Sequence, residues 1–439
     1  MLAHAGAAEG GRALLRAARR LRGMSVTVAD QALVSATNFL TNVILARSMP
    51  LDDFGRFALL YTVLLFAVAL QLGLIIAPMM SLGPKFENAE KKTYLSVVTL
   101  HALLFAFLIA GGAIFCPDIL QTIIDEGGFV EVRWAFVFCS AGFVLQDFIR
   151  RLFFTDGRTT HALAFDGVNC AARLAVLAGL SLAGEVSVGA ALWVIGGASA
   201  LAIALALKWL ALPRPMAAVR LLIRSAWVSV QQWHLGKWLL GANIMSWVVS
   251  SGLLVLAGNW IGPGPLGVIR AAQNLVGVLL VILQALENMV PHQASAKLVQ
   301  GGGPALRRYM LRTGLVSGAI IVGLAAVFAG AADFWLRLVY GAQFAGNAAI
   351  LVFAAINFVP LFVQVMASFV LRSLGHARGI FFASVLAAAG SVGLALLLVP
   401  SLGALGVMLA ICAGSTLNAG SLLLLVQRAL KQYPDLPAK

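Results

Sequence analysis

Long apolar runs separated by short polar connections dominate the sequence. A helix that crosses the hydrocarbon core of a bilayer needs about 20 apolar residues, and helices are the expected spanning structure because no barrel-like alternation occurs. Twelve runs reach this length, near residues 26–47, 54–80, 94–116, 130–152, 161–183, 188–211, 236–258, 264–290, 309–331, 346–371, 379–400 and 403–427. The pattern predicts an all-α polytopic membrane protein with about twelve transmembrane helices.

Composition supports this reading and narrows the chemistry. The chain is 61% hydrophobic and 11% charged, whereas soluble domains are closer to half apolar and a quarter charged. The four cysteines lie in or beside apolar runs without a CxxC or Cys/His pattern, so neither a metal site nor a disulfide framework is expected. Walker A, HExxH and GxSxG motifs are absent from the sequence. We therefore expect no enzymatic activity and no cofactor.

The basic residues predict the orientation of the chain. Most of the 31 Lys and Arg residues fall on one side of the predicted spans, and acids such as Asp52, Asp53, Glu131 and Asp333 mark the other side. Cytoplasmic connections are enriched in Lys and Arg, which predicts that both termini are cytoplasmic. The net charge of +14 is then explained by topology and by contact with anionic lipid, without a nucleic-acid partner.

An internal repeat predicts two halves. The hairpin LARSMPLDDFGRFALL at residues 45–60 has a counterpart, LAGNWIGPGPLGVIRAA, at residues 256–272. Gly55 corresponds to Gly267 and Pro78 to Pro291, in the same order and at nearly the same offset, as transporter repeats do. The expected division is a basic cytoplasmic segment at 1–24, an N-lobe at 25–212, a cytoplasmic linker at 213–235, a C-lobe at 236–428 and a cytoplasmic tail at 429–439. The two six-helix lobes are expected to surround a central cavity.

Polar residues form a stripe along the first predicted span. Thr27, Gln31, Ser35, Asn38 and Asn42 follow one another at spacings that place them on one helical face, with Asp30 beside them. Such residues either form hydrogen bonds between helices or line a hydrated cavity. A stripe of this length favours a cavity wall.

Two further spans carry intramembrane charges. Span eight places Arg270 and Asn274 on one face with Glu287 nearby, and span five places Asp166, Asn169 and Arg173 at i, i+3 and i+7. An arginine within a bilayer is costly unless an anionic or polar group receives it, and its planar fork suits phosphate oxygens. Asp166 and Arg173 either form a structural charge network or bridge through Asn169, water or a ligand.

The charges of the first hairpin are weaker candidates. Arg47 and Arg56 lie near the predicted outer boundary of the membrane, where snorkelling explains their charge. The counterpart hairpin lacks both acids and the first arginine, so Arg47, Asp52 and Asp53 are interpreted as a solvated rim. Arg56 is a secondary candidate for binding, after Arg270 and Arg173.

The start of the chain resembles a known family. The stretch DQALVSATNFLTNVILARSMPLDDFGRFAL, the HALAF motif at 161–165 and the turn from Gly403 to Gly406 are similar to the polysaccharide transporter branch of the multidrug/oligosaccharidyl-lipid/polysaccharide exporter superfamily, which includes O-antigen and exopolysaccharide flippases. The resemblance implies two lobes around a V-shaped cavity that opens alternately to each face. It also implies transport of a polyprenyl-pyrophosphate-linked oligosaccharide to the periplasmic leaflet of the bacterial inner membrane.

The resemblance assigns roles to the candidate residues. Arg270 and Arg173 would bind the pyrophosphate, and the stripe with Gln31, Asn38 and Asn42 would meet sugar hydroxyls. An ion gradient would drive transport, which makes Asp30, Asp166 and Glu287 candidate ion-coupling residues. The protein would act as a monomer, with glycosyltransferases or polymerases as further partners.

Three alternatives stay open at this point. A lipid II flippase of the same superfamily usually has two more helices than this chain is predicted to have. A cation-coupled multidrug and toxin exporter would use acids such as Asp166 and Glu287 rather than arginines. A membrane polymerase or ligase would be expected to have a large periplasmic loop, whereas the outer connections here are short.

Overall fold

The structure is a computed structural model that describes residues 26–83, 86–115, 117–118, 121, 128–210, 226, 228–230, 232–233, 237, 240–241, 244–245, 247–374 and 376–431. The regular structure of these residues is helical, as the apolar runs predict. The first helix, α1, covers residues 26–48. The others are α2 (Leu51–Gln71), α3 (Ala77–Leu82), α4 (Asn88–Phe115), α5 (Gly128–Thr155), α6 (Thr159–Ala183), α7 (Val188–Ala206), α8 (Leu253–Ile261), α9 (Pro263–Val276), α10 (Val278–Gly330), α11 (Ala332–Tyr340), α12 (Ala348–Ile356), α13 (Phe358–Ser373), α14 (Ala377–Leu402) and α15 (Ala404–Lys431). The predicted segment 1–24 and most of the linker 213–235 lie outside the described residues.

Nine helices in the described part of the chain are long and apolar enough to cross a membrane, and a bent pair makes a tenth. The bent pair joins Pro263–Val276 to Val278–Gln284 at an angle of 50°. Helix α1 is not among the nine, because its polar stripe lowers its hydropathy, and the predicted seventh span is only partly described. The chain is thus a multi-pass helical membrane protein, and the number twelve stays a prediction.

Irregular turns interrupt several of the long helices. Helices α2 and α3 are joined by a π-helical turn, Leu72–Ile76, and α10 contains a break at Gly301 and Gly302. Gly302 has a φ of 63°, which a residue with a Cβ adopts rarely. Kinks of this kind have a local cause in the sequence. The break at the glycines divides α10 into two parts, and the second part, Gln300–Gly330, is one of the nine spanning helices.

The described residues fall into two compact units. The first lies within Met1–Ile44, Ala67–Pro117 and Val130–Leu240, and the second within Leu45–Phe66, Asp118–Phe129 and Gly241–Lys439. A large apolar cluster of the first unit packs Phe148, Phe153 and Phe165 against helices α3, α4 and α7. The first hairpin, residues 45–60, belongs to the second unit together with its counterpart at 256–272.

Equivalent glycines of the two hairpins pack against each other within the second unit. Gly55 and Gly267 are each the fifth residue of a helix, α2 and α9. A Cβ built on Gly267 would lie 3.1 Å from the backbone nitrogen of Gly55 and 3.2 Å from its Cα, and a Cβ on Gly55 would collide with the carbonyl group of Pro263. The absence of a side chain at these positions lets the two helices approach through their backbones.

Two side chains, Arg47 and Gln343, connect the first hairpin to helix α11 and the turn that follows it through hydrogen bonds to backbone carbonyls. Arg47 donates through Nε to the carbonyl of Val339 at 2.7 Å and through Nη2 to the carbonyl of Leu338, at the end of α11. Gln343 donates to the carbonyls of Ala46, at 2.5 Å, and Met49, at 3.2 Å. Terminal helix carbonyls lack partners within their own helix and carry partial negative charge. Arg47 is therefore exposed, as expected for a solvated rim residue. It also connects two helices through its hydrogen bonds, which the sequence did not predict.

Replacing Arg47 by Ala is expected to destabilise the second unit. The substitution leaves two helix-terminal carbonyls without their charged donor, and hydrogen bonds to charged groups contribute about 1.5–3 kcal/mol each. Thermal unfolding of the purified protein in detergent measures the loss. Arg337→Ala is the matched control, because Arg337 pairs with Asp333 on an exposed face of the same helix α11. Equal melting temperatures for the two variants would contradict the assigned role of Arg47.

Candidate substrate and ion sites

Two buried acids of the first unit share one arginine. Arg150 Nη2 lies 3.0 Å from Asp30 Oδ2, and Arg150 Nε lies 2.7 Å from Asp166 Oδ2. Both aspartates are fully buried, and the Arg150 side chain is 13% exposed. We call Asp30, Arg150 and Asp166 the acid pair cluster. Helices α1, α5 and α6 each supply one of these residues.

Neutral side chains extend the acid pair cluster. Arg150 also donates to Gln31 Oε1 at 3.0 Å, and Gln146 Nε2 donates to Asp166 Oδ1 at 2.8 Å. Asp30 Oδ1 has no hydrogen-bond partner among the described residues. Two ionised carboxylates and one guanidinium leave one negative charge in a buried site, and burying an unbalanced charge is costly. The cluster can lower that cost by taking up a proton or a small cation.

A second polar network of the first unit surrounds Arg173. Arg173 Nη2 donates to Asn169 Oδ1 at 2.9 Å, and Nη1 donates to Asn38 Oδ1 at 3.2 Å. Asn169 Nδ2 continues to Ser199 Oγ at 3.2 Å. Arg173 is only 4% exposed, so a buried guanidinium is held here by the oxygens of neutral amides.

The structure places Asp166 and Arg173 in separate side-chain networks. Asp166 and Arg173 are not bridged through Asn169, because Asn169 turns its oxygen to Arg173 and its nitrogen to Ser199. Asp166 instead accepts a hydrogen bond from Gln146 and forms an ion pair with Arg150, both of helix α5. The spacing i, i+3, i+7 does place all three residues among the buried positions of helix α6.

Arg270 lies in the second unit without a carboxylate partner among the described residues. Its guanidinium is 5.8 Å from the centre of the Tyr61 ring, and Nη1 is 3.5 Å from Gln273 Oε1. The face of an aromatic ring attracts a cation but does not neutralise its charge. Among the described residues, the charge of Arg270 is therefore not balanced by a carboxylate.

Asn274, one turn after Arg270, is linked to helix α11. Its Nδ2 donates to the hydroxyl of Tyr340 at 2.9 Å. Burial raises the pKa of Tyr340 above that of an ordinary phenol, and the hydrogen bond from Asn274 opposes this rise only in part. Tyr340 is consequently neutral at physiological pH. Its bond to Asn274 fixes the face of α9 that carries Arg270.

The remaining candidate residues have local partners. Arg56 Nη1 lies 3.2 Å from Asp53, and Asn42 Nδ2 donates to the backbone carbonyl of Asn38 at 2.8 Å. Glu287 lies 3.6 Å from Arg372, and both side chains are more than half exposed. Glu287 is thus not part of a buried charge cluster, unlike Asp30 and Asp166.

Arg150 is not among the candidate residues predicted from the sequence, where it counts only as one of the basic residues on the predicted cytoplasmic side. It lies near the end of a predicted span, in an Arg-Arg pair, where snorkelling is a sufficient explanation. One signal was present: Arg151 has Asp147 four residues before it, and the two form a pair at 2.9 Å, which leaves Arg150 on the face of Gln146. Among the described residues, no group of three or more His, Cys, Asp or Glu side chains is arranged to hold a metal ion.

Comparison with known proteins identifies the family. A family model described as polysaccharide biosynthesis protein matches residues 44–349. The chain belongs to the polysaccharide biosynthesis protein family. No curated protein sequence matches the chain significantly.

Solved structures similar to this family member are transporters and flippases. An inward-facing multidrug resistance MATE family transporter of the MOP superfamily has a TM-score of 0.75 at 14% identity, covering 90% of this chain and 94% of that chain. The lipid II flippase MurJ in an inward closed conformation has a TM-score of 0.69 at 12% identity, with coverage of 94% and 89%. A mutant of the Vibrio cholerae MATE transporter VcmN has a TM-score of 0.62 at 13% identity, with coverage of 95% and 97%.

These findings confirm the resemblance inferred from the sequence motifs and the predicted fold class. At such low identity the likeness to solved structures shows the fold, and the family match adds the link to polysaccharide biosynthesis. The chain is a multi-pass membrane protein of this family with the fold of MATE transporters and MurJ. The fold alone does not specify the substrate, which depends on the residues of the site.

Proposed function

We propose that this protein moves a polyprenyl-pyrophosphate-linked oligosaccharide from the cytoplasmic to the periplasmic leaflet of a bacterial inner membrane by alternating access. The observation that carries the proposal is made separately in each unit: Arg173 of the first unit and Arg270 of the second each have hydrogen bonds only to neutral groups in the described structure. A pyrophosphate supplies the anionic oxygens that a guanidinium binds in bidentate fashion. The family's link to polysaccharide biosynthesis supports this choice of substrate class.

The amides around Arg173 have two roles in this proposal. Asn38 and Asn169 hold the guanidinium through their oxygens, and Gln31 contacts Arg150. Together with Asn42 and Asn274, these side chains carry the donors and acceptors that sugar hydroxyls need. The lipid tail stays in the bilayer throughout. Arg56, already paired with Asp53, contributes least.

The acid pair cluster is the proposed coupling site. Asp30 and Asp166 share Arg150 and leave one negative charge unbalanced, so a proton or a small cation binds there during the cycle. Glu287 is exposed and paired with Arg372, which makes it the weakest of the three coupling candidates.

The flipping activity is tested in proteoliposomes. Purified protein is reconstituted with a polyprenyl-pyrophosphate oligosaccharide whose terminal sugar is fluorescent, and a membrane-impermeant reagent quenches the substrate in the outer leaflet. The protein is expected to make the protected substrate accessible, while empty liposomes leave it protected. A polyprenyl monophosphate carrying the same sugar should move more slowly, because it offers fewer oxygens to the arginines. No acceleration of either lipid would overturn the proposal.

A cation-coupled exporter of organic cations is the second candidate function. The observation in its favour is the acid pair cluster, since two buried carboxylates suit a binding site for cations. Efflux of a fluorescent organic cation from the same proteoliposomes tests it. Cation efflux without movement of the lipid-linked sugar would replace the first proposal by this one.

Replacing Asp166 by Asn is expected to uncouple transport from the ion gradient. The amide keeps a hydrogen-bonding group beside Gln146 but removes one of the two carboxylates around Arg150. When two sites are coupled, a ligand at one typically changes the affinity of the other by about fivefold or more. The acceleration of the initial transport rate by an imposed proton or sodium gradient should therefore fall by about fivefold or more in the variant. Asp147→Asn is the control, because Asp147 pairs with Arg151 outside the cluster. An unchanged response to both gradients in Asp166→Asn would refute the assignment.

A further inference from the structure

A separate cavity of the first unit opens between the ends of three helices. It has a volume of about 270 Å³ and lies beside the start of α4, the end of α5 and the segment that follows α7. All three helices are among the nine that are long enough to span a membrane. The cavity therefore lies at the membrane boundary, on the side where the distribution of Lys and Arg predicts the cytoplasm. None of the residues proposed to bind the oligosaccharide or the coupling ion lines it.

The polar wall of this cavity has an excess of positive charge. Lys91 Nζ and Arg158 Nε each lie 2.9 Å from the carboxylate of Asp156, so one acid serves two bases. Lys92 also lines the cavity and forms no hydrogen bond or ion pair with any residue that the structure describes. Lys91, Lys92, Arg158 and Asp156 together carry a net charge of +2, and an anionic ligand would balance this excess.

The guanidinium of Arg158 is held in place at the cavity. Its Nη1 donates to the backbone carbonyl of Trp209 at 2.8 Å, while Nε contacts Asp156. A side chain fixed at two points loses little further entropy when it binds a ligand, which favours binding. Arg158 is also 42% exposed, so its remaining N–H groups are accessible.

The opposite wall of the cavity is apolar. Leu152 and Phe153 are buried, and Leu95, Trp209 and Leu210 complete this side. A free phosphate ion would use the cations and gain nothing from these side chains. An amphiphile with an anionic head and an apolar body uses both walls, and Trp side chains are enriched at membrane interfaces for the same reason.

We propose that this cavity binds the headgroup of an anionic glycerophospholipid of the cytoplasmic leaflet. The phosphate lies against Lys91, Lys92 and Arg158, and the glycerol and the first acyl carbons lie against Leu152 and Phe153. Basic pockets between transmembrane helices on the cytoplasmic side bind anionic headgroups in this manner. The site is independent of the proposed function, because the residues assigned to substrate and ion binding lie elsewhere in the chain.

Native mass spectrometry of the full-length protein tests the site. The protein is released from mixed micelles that contain equal amounts of dioleoyl phosphatidylglycerol and dioleoyl phosphatidylcholine. The wild type is expected to retain one phosphatidylglycerol in preference to phosphatidylcholine. Lys92→Gln should weaken this retention about tenfold, as the loss of one charge-assisted contact implies. Because Lys92 is exposed and unpaired among the described residues, this variant is expected to fold normally.

A matched double variant separates the site from general electrostatics. Lys92→Gln/Arg158→Gln and Lys297→Gln/Arg428→Gln remove the same charge, and Lys297 and Arg428 are exposed residues of the second unit. Only the first double variant should lose the melting-temperature increase that phosphatidylglycerol nanodiscs give over phosphatidylcholine nanodiscs. An equal loss in both double variants would overturn the proposal. The same stabilisation by soluble sn-glycerol 3-phosphate would also overturn it, since a water-soluble phosphate compound without acyl chains would then be a sufficient ligand.

Discussion

Replacing Arg173 by Gln or Arg270 by Gln is expected to reduce lipid-linked oligosaccharide flipping by about a hundredfold or more, while the amount of protein in the membrane stays normal. A bidentate contact with pyrophosphate consists of two charge-assisted hydrogen bonds of about 1.5–3 kcal/mol each, and every 1.4 kcal/mol corresponds to about a factor of ten. Glutamine keeps a polar amide at the position but removes the positive charge and the planar fork. The initial flipping rate in proteoliposomes measures the effect.

Lysine at the same positions separates charge from geometry. Arg270→Lys keeps the charge but has no planar fork, so its rate should lie between those of the wild type and Arg270→Gln. Arg151→Gln is the control, because Arg151 pairs with Asp147 and contacts neither polar network of the first unit. Wild-type rates in both Arg173→Gln and Arg270→Gln would overturn the proposed role of each arginine in binding the anionic substrate.

The two arginines also differ in their expected effect on stability. Arg173 is 4% exposed and holds Asn38 and Asn169, so its replacement disturbs the packing of α1 and α6 as well as the anion site. Arg270 lies over the face of the Tyr61 ring and forms one long hydrogen bond with Gln273. Its replacement therefore leaves no carboxylate without a partner among the described residues. Arg270→Gln should therefore reduce transport with little change in melting temperature, whereas Arg173→Gln should lower both.

The helical fold was predictable because its signal is local. Apolar runs of spanning length identify helices one at a time, and nine of them are confirmed within the described residues. The same criterion misses α1, whose polar stripe lowers its hydropathy. The stripe at Gln31 and Asn38 was nevertheless readable from spacing alone, since a helix places such residues on one face.

The partners of these side chains were not predictable in the same way. Asp166 and Arg173 lie on one helix at a spacing that suggests a shared network, but tertiary packing brings Arg150 to Asp166 and Asn38 to Arg173. Sequence spacing orders residues along one helix and carries no information about which neighbouring helix faces them. Arg150 is an example: it lies near the end of a predicted span, and its sequence position gives no indication of its contacts with the buried Asp30 and Asp166.

Replacing Gly55 by Ala is expected to destabilise the second unit strongly. The new Cβ would collide with the carbonyl group of Pro263, and this obstacle belongs to the backbone of helix α9 rather than to a flexible side chain. Overpacking a well-packed site costs about 1–3 kcal/mol, occasionally more, and a clash between two backbones belongs at the upper end. Thermal unfolding in detergent measures the loss.

Three glycine variants test this contact as a graded series. Gly267→Ala would place its Cβ 3.1 Å from the nitrogen of Gly55, a tight approach that small shifts relieve, whereas a Cβ at Gly112 of α4 would meet nothing within 4 Å. The melting temperature should fall most for Gly55→Ala, less for Gly267→Ala and not at all for Gly112→Ala, since Ala favours a helix more than Gly does. Equal melting temperatures for Gly55→Ala and Gly112→Ala would show that the two hairpins do not meet through their glycines. The predicted order instead identifies the two glycines as the closest approach of helices α2 and α9 within the second unit.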